Sequence, residues 1–336
     1  MIFVTGGTGL VGAHILLYLI KDNKKIRALK RKNSKLDLLK DILQNNNIDP
    51  KAINTKIEWI EGDLLDPFII NKALEGVDMI YHSAAQISFA PHQENNLNKI
   101  NVEGTALLVN TALEKNIKKF GYVSSIATLS RGHGITTDED CWWTNEKNTS
   151  LYSVSKHLAE QEVWRASAEG LDVIIVNPSI ILGPGNWKTG STELFHSIYK
   201  GLKFYTRGAT GFVDVRDVAM AMIQLMDSDI SNERFVLNSE NIPYKTLFDY
   251  IANGFNIKPP SIFVHKWMGS IAWRIAWVAG KLQGKKPLIT KETTRSANNT
   301  TQYSNSKIKK SLNYNFIPIK QSVEDTCLIL KKRFID

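Results

Sequence analysis

A chain of 336 residues with 43% hydrophobic and 22% charged side chains is long enough for a large apolar core and has the composition of an ordinary globular protein, which sets aside fibrous and disordered classes. Its net charge of +9 is concentrated largely between Lys21 and Lys40, a basic cluster suited to nucleic acid, an anionic membrane surface or a phosphorylated small ligand. The two cysteines, Cys141 and Cys327, lie far apart without metal-ligand spacing, which argues against a disulfide framework and a metal site and for a reducing compartment.

The first residues, Met1-Ile2-Phe3-Val4-Thr5, run directly into an apolar strand with no basic, apolar leader before it, so a cytoplasmic location is expected. A glycine turn follows, then a helix over roughly Val11–Ile20 and a second strand at Ile26–Leu29. Further short apolar runs stand at Ile57–Glu61, Met79–His82, Gly121–Ser124 and Val173–Asn177. Between them lie helical patterns near Pro67–Leu74, Leu97–Lys115 and Tyr152–Ala168. Strands alternating with helices indicate βαβ units, hence an α/β fold with a doubly wound parallel sheet buried on both faces.

After about Ile180 this alternation weakens. Phe212–Val215 and Phe235–Leu237 read as strands returning to the main sheet, and the chain beyond Pro243 reads as mostly helical. The expected division is a dinucleotide-binding domain of residues 1–180 plus 212–238, and a smaller, mostly helical C-terminal substrate domain of 181–211 plus 239–336.

The first chemical signal is Thr5-Gly6-Gly7-Thr8-Gly9-Leu10-Val11-Gly12, with Gly6, Gly9 and Gly12 at G-x-x-G-x-x-G spacing between a strand and a helix. The turn needs backbone that tolerates positive φ, and a pyrophosphate needs exposed N–H groups at the helix N-terminus. Thr8, Leu10 and Val11 complete this candidate phosphate cradle. An NAD site then places a carboxylate at the end of the second strand for the ribose 2′-hydroxyl. Here Lys30-Arg31-Lys32 occupies that position. A guanidinium grips a 2′-phosphate with paired charge-assisted hydrogen bonds, so NADP is favoured, with NAD as the alternative and a solvated basic turn as the plainer reading.

Asp63-Leu64 closes the third strand, where a carboxylate can take the adenine amino group or merely cap the next helix. His82-Ser83-Ala84-Ala85 ends the fourth strand; Ala84 and Ala85 leave room for a ribose–phosphate, and His82 reads as a structural histidine pointing into the sheet.

Tyr152-Ser153-Val154-Ser155-Lys156 carries the candidate reaction chemistry. At i,i+4 spacing on a helix, Tyr152 and Lys156 share one face with Cβ atoms about 5–6 Å apart. A phenol ordinarily titrates near about pH 10, and each tenfold gain in acidity asks for ~1.4 kcal/mol of differential stabilisation, which a close ammonium can supply. Val123-Ser124-Ser125 adds a hydroxyl at the carboxyl end of the preceding strand. Alternation sends one of the two serines toward the site; Ser125 is preferred, with Thr128 as a weaker candidate.

In order along the chain, TGGTGLVG, GDL, HSAA, SS-I-A-T, YSVSK and NPSIILGPG resemble the extended short-chain dehydrogenase/reductase family, within the NAD-dependent epimerase/dehydratase superfamily. The likeness is greatest to its dihydroflavonol 4-reductase-like and 3β-hydroxysteroid dehydrogenase-like branch. It covers roughly residues 1–240 and implies a Rossmann domain, a Ser125/Tyr152/Lys156 catalytic set and a variable substrate domain. It also implies that Pro178, Ser179 and Ile180, after Asn177, lie beside the nicotinamide carboxamide, and that homodimers form through the helices near Leu97–Lys115 and Tyr152–Ala168.

Sugar epimerases of this family usually carry Val-Tyr-Gly where this chain has Leu129-Ser130-Arg131, and dehydratases place Asp-Glu where Ile126-Ala127 stands. Both departures favour reversible hydride transfer on a secondary alcohol or carbonyl over sugar-nucleotide chemistry, which is the alternative. A polar, aromatic stretch over Asp138–Ser150 precedes the catalytic helix as a candidate flap. Trp267, Met268, Trp273 and Trp277 suggest a pocket wall for a small hydrophobic or ring-containing substrate; Lys266 and Arg274 argue against a spanning helix. Peripheral membrane contact stays an alternative for that segment, and no nucleic-acid partner is expected.

Overall fold

The computed structural model describes residues 1–87, 94–130, 135–144, 149–187, 189–265 and 299–335. The tryptophan-rich segment from Lys266 to Leu282 and Arg131 therefore lie outside the described residues. In chain order the strands are β1 (Ile2–Thr5), β2 (Ile26–Lys30), β3 (Ile57–Glu61), β4 (Met79–His82) and β5 (Lys119–Val123). Then come β6 (Thr136–Thr137), β7 (Asp172–Pro178), β8 (Ile180–Leu182), β9 (Phe204–Tyr205) and β10 (Ala209–Asp214). The last are β11 (Glu233–Leu237), β12 (Glu240–Pro243), β13 (Ile262–Phe263) and β14 (Gln302–Tyr303).

Seven of these form one sheet in the order β11-β7-β5-β4-β1-β2-β3, and every pair in it is parallel. The order reverses direction between β1 and β4, which opens a crevice at the carboxyl ends of those strands. This is a Rossmann-type doubly wound sheet.

Alternation along the strands builds two cores. Val4, Tyr81, Val123, Ile174 and Val176 face the helices Leu10–Lys21 and Val215–Asp227. Phe3, Ile80, Phe120, Val173 and Ile175 face the helices Pro67–Ala73, Gly104–Glu114 and Leu151–Ala168. With both faces covered, an uninterrupted apolar strand such as Phe120–Val123 is what the sheet requires.

Phe235–Leu237 joins this sheet as expected. The expectation for Phe212–Val215 is corrected. Phe212–Asp214 pairs with β8 and β12 in a separate three-stranded sheet, and Val215 already begins a helix. An apolar run signals a strand and is silent about which neighbour the strand pairs with. A third core, around Leu182, Trp187, Phe195, Phe212, Phe248 and Leu330, sits under that small sheet. The C-terminal helix Ile319–Phe334 packs there through Ile319, Val323, Cys327 and Leu330. Among the described residues no helix is long and apolar enough to cross a membrane.

Candidate active site

At the opening of the crevice, Gly6 has φ +73 and a Cβ placed on it would lie 2.6 Å from Ala84 N. That is backbone against backbone, so the turn is closed to any side chain here. Gly12 is tighter still: its Cβ would stand 2.2 Å from the Gly6 carbonyl oxygen. Gly9 precedes the helix with no side-chain cap, so the first-turn N–H groups keep their hydrogen-bonding capacity. Thr8 and Val11 are half-buried on this turn, and Leu10 faces the Gly183–Gly185 loop, 3.6 Å from a Cβ built on Gly183. Ser83 ties β4 to the turn by donating to Thr5 O at 2.8 Å.

At the other end, Arg31 and Lys32 line a cavity of about 560 Å³ with Asn33, Ser34, Glu61 and Asp63. Both basic side chains are exposed, whereas Lys30 is taken by an ion pair with Glu61 at 3.1 Å. Asp63 accepts from Leu65 N at 3.0 Å, and the helix that follows is capped by Asp66. Leu64 is buried against Gly104 in the core. Ala84 is half-buried and Ala85 exposed on the chain leaving β4.

His82 is fully buried, with Nδ1 2.6 Å from Thr5 Oγ1 and Nε2 2.9 Å from Thr105 Oγ1. Burial, reinforced by the Lys156 charge, holds its pKa down at about 3, so it is a neutral brace at physiological pH.

The candidate reaction residues sit where β5 runs out. Ser125 is extended (φ −164, ψ 152) and caps a single turn of 3₁₀-helix, Ile126–Thr128, by accepting from Ala127 N at 3.1 Å. Tyr152 stands close enough to Ser125 for that side chain to act on its phenol as a hydrogen-bond partner. Burial pushes that phenol above its ordinary range while the bond to Ser125 opposes the shift. Lys156 is 1% exposed, and its Nζ donates to Tyr122 Oη at 2.6 Å and to Val123 O at 2.8 Å. Desolvation brings its pKa down to about 7, against the pull of Glu160.

The alternation argument separates the two serines: Ser124 is buried and donates to Glu160 Oε2, while Ser125 faces Tyr152. Thr128, the weaker candidate, has its hydroxyl 2.9 Å from both Ser125 O and Glu160 Oε2. Pro178 ends β7 in register with Leu237, Ser179 N donates to Leu237 O at 2.9 Å, and Ile180 starts β8.

Two features escape sequence reasoning. Asn101, in a π-helical turn at Asn98–Glu103, brackets the Gln86 backbone (2.8 and 3.0 Å) and donates to Ser155 Oγ at 3.0 Å. It thereby joins the β4 loop to the helix of Tyr152. Glu160 and Arg234 form an ion pair at 3.4 Å, both nearly inaccessible. The available signal was a carboxylate one helical turn beyond Lys156 on the core-facing side, and an arginine inside an apolar strand. In the Asp138–Ser150 stretch, Trp143 stacks on His157 at 4.4 Å and Trp142 lies over the Arg234 guanidinium at 4.5 Å.

The residues fit a dinucleotide. The glycine cradle is a space that a Cβ would fill, and beyond it the buried Ser179 hydroxyl and Asn177 Oδ1 have no hydrogen-bond partner among the described residues. Among those residues no cluster of His, Cys, Asp or Glu suits a metal, and both cysteines are free.

Residues 2–237 match the model of the NAD dependent epimerase/dehydratase family. The chain is 29% identical over 333 residues to a putative dihydroflavonol 4-reductase of Synechocystis, covering 96% of this chain and 92% of that protein. It is 31% identical over 241 residues to sterol demethylase protein B of Methylococcus capsulatus, covering 71% of this chain and 69% of that protein. The crystal structure of gox2253 superposes with a TM-score of 0.82 at 27% identity, covering 99% of this chain and 98% of that one.

Proposed function

The chain belongs to the NAD dependent epimerase/dehydratase family, and from that premise we propose that it is an NADP-dependent reductase of a secondary carbonyl on a small hydrophobic, ring-containing substrate. The observation that carries this reading is the meeting of Ser125 and Lys156 at the carboxyl end of the sheet, where Lys156 Nζ reaches Val123 O at 2.8 Å, with Tyr152 one turn earlier on the same helix. Both relatives described above are named for ring compounds, a dihydroflavonol and a sterol, which supports the substrate class.

When bound, the reduced dinucleotide supplies the hydride. Gly6, Gly9 and Gly12 with Thr8, Leu10 and Val11 hold its phosphates, and Ala84, Ala85, Pro178, Ser179 and Ile180 flank its nicotinamide half. Tyr152 gives its phenolic proton to the substrate oxygen, and Ser125 donates a hydrogen bond to that oxygen as charge develops. Burial favours the protonated phenol, the form needed for reduction. Lys156 holds the ribose hydroxyls, and its ammonium stabilises the phenolate left after proton transfer. Substrate is held at the sheet edge, beside Ser125 and Tyr152.

The Lys156 charge change falls near neutrality, since its pKa is lowered to about 7. The sign follows: the ammonium is present below that pH and lost above it. Ketone reduction is expected to slow as pH rises through about 7 in wild type. Lys156→Arg, which keeps its charge, is expected to be flat over the same range in a pH–rate profile.

Arg31 and Lys32 take the 2′-phosphate, and Asp63 with the chain at Leu64 takes the adenine. Arg31→Asp is expected to move the NADPH/NADH ratio of kcat/KM by about tenfold or more toward NADH, the loss of one charge-assisted grip. An unaltered ratio places the phosphate elsewhere.

The decisive screen incubates the protein with NADPH or NADH and a panel of aromatic and cyclic ketones, with UDP-glucose as the contrasting substrate. Oxidation of NADPH by ring ketones is the expected result. Conversion of the nucleotide sugar without net redox change overturns it.

A further inference from the structure

Beneath the two serines lies a buried polar cluster that the proposed reaction leaves unused. The Glu160 carboxylate receives Ser124 Oγ at 2.5 Å, Thr128 Oγ1 at 2.9 Å and Asn177 Nδ2 at 3.0 Å, all on Oε2. Its Oε1 faces Arg234 Nη1 at 3.4 Å. The partners come from three separate stretches of chain. Ser124 and Thr128 bracket Ser125; Asn177 immediately precedes Pro178-Ser179; Arg234 is on β11. Glu160 itself rides on the helix of Tyr152 and Lys156.

The backbone of Ser125 is pinned from the same cluster. Its carbonyl oxygen accepts from Thr128 Oγ1 at 2.9 Å and from Asn177 Nδ2 at 3.2 Å. Asn177 Nδ2, with two hydrogens, reaches Glu160 Oε2 at the same time, whereas the single Thr128 proton is shared between Ser125 O and Glu160 Oε2. One carboxylate therefore fixes the Ser125 turn relative to the helix that carries Tyr152. A buried carboxylate with matched donors is rigid, because any movement strands a charge away from water.

We propose that Glu160 is a positioning residue for the reaction: through Ser124, Thr128 and Asn177 it sets the Ser125 hydroxyl against the Tyr152 phenol. The proposal rests on the Ser125/Tyr152/Lys156 reading above. Glu160 touches no reacting atom, so its effect is on placement. A misplacement of about 1 Å costs on the order of 100-fold in rate, which makes the placement of one hydroxyl measurable.

The test uses the full chain, NADPH and whichever ketone of the panel is reduced fastest. Glu160→Gln is expected to lower kcat about tenfold or more, with KM for NADPH within about twofold. In a Ser125→Ala background the same change is expected to cost less than about twofold, since a residue that acts through Ser125 then has nothing left to place. Full additivity of the two losses overturns the proposal.

Should Glu160→Gln not fold, with Arg234 left without its carboxylate, Ser124→Ala removes one donor to the same carboxylate. It is expected to show the same non-additive pattern with a smaller loss. A second readout needs no turnover. Amide exchange at Ala127, Thr128 and Leu129 is expected to quicken about tenfold in Glu160→Gln while β5 is unchanged, and equal protection overturns the proposal. If Ser125→Ala alone leaves the rate intact, the functional reading fails, and the exchange experiment still decides whether Glu160 holds the turn.

Discussion

Tyr152→Phe is expected to lower ketone reduction by at least ~1,000-fold, or ~4 kcal/mol of transition-state stabilisation, while leaving NADPH affinity within about twofold. The phenol hydroxyl is the one atom removed. It lies beside Ser125, at the edge of the sheet where the glycine turn also opens. His82, a titratable group at the end of β4, has both ring nitrogens engaged and is held neutral by burial. The ring of Tyr152 stays in place in the variant, so the dinucleotide cradle is undisturbed. Steady-state rates with the preferred ketone, beside a fluorescence titration with NADPH, separate the two quantities. An unchanged rate removes Tyr152 from the mechanism; a lost affinity shows that its hydroxyl serves binding.

The elements set by local chain geometry were legible in the sequence. β3 and β4 begin and end where apolar periodicity places them, and the helix of Tyr152 starts one residue earlier than its pattern. Alternation at the end of β5 separates Ser124, which turns inward to Glu160, from its neighbour Ser125. What the sequence hides is long-range pairing. Nothing in Phe212–Val213–Asp214 says that its partners are β8 and β12, because any sheet rewards the same apolar run. Glu160 reads as one more charged residue on an amphipathic helix until Asn177 and Arg234 arrive from strands 17 and 74 positions away. Asn101 is hidden for a related reason: its neighbours Gln86 and Ser155 meet only when the β4 loop folds onto the catalytic helix.

The glycine turn offers the other large effect. Gly12→Ala is expected to weaken NADPH binding at least about 100-fold, close to 2.7 kcal/mol, and to lower thermal stability as well. The added Cβ would stand 2.2 Å from Gly6 O, 2.6 Å from Gly6 C and 2.7 Å from Ser83 Oγ. Two of those atoms are backbone of the turn itself, so no rotamer change relieves the overlap. The Ser83 hydroxyl is also fixed, since it donates to Thr5 O. The helix Leu10–Lys21 must therefore move away from β1, and its N-terminal N–H groups go with it. Those groups owe their value to converging on one phosphate position at the positive end of the helix dipole. Moving them apart loses affinity without touching Tyr152 or Ser125. Saturating NADPH is thus expected to restore part of the turnover in Gly12→Ala, whereas no concentration rescues Tyr152→Phe. A Gly12→Ala protein that binds NADPH as tightly as wild type, in a direct fluorescence titration, would show that the phosphates are not held at this turn.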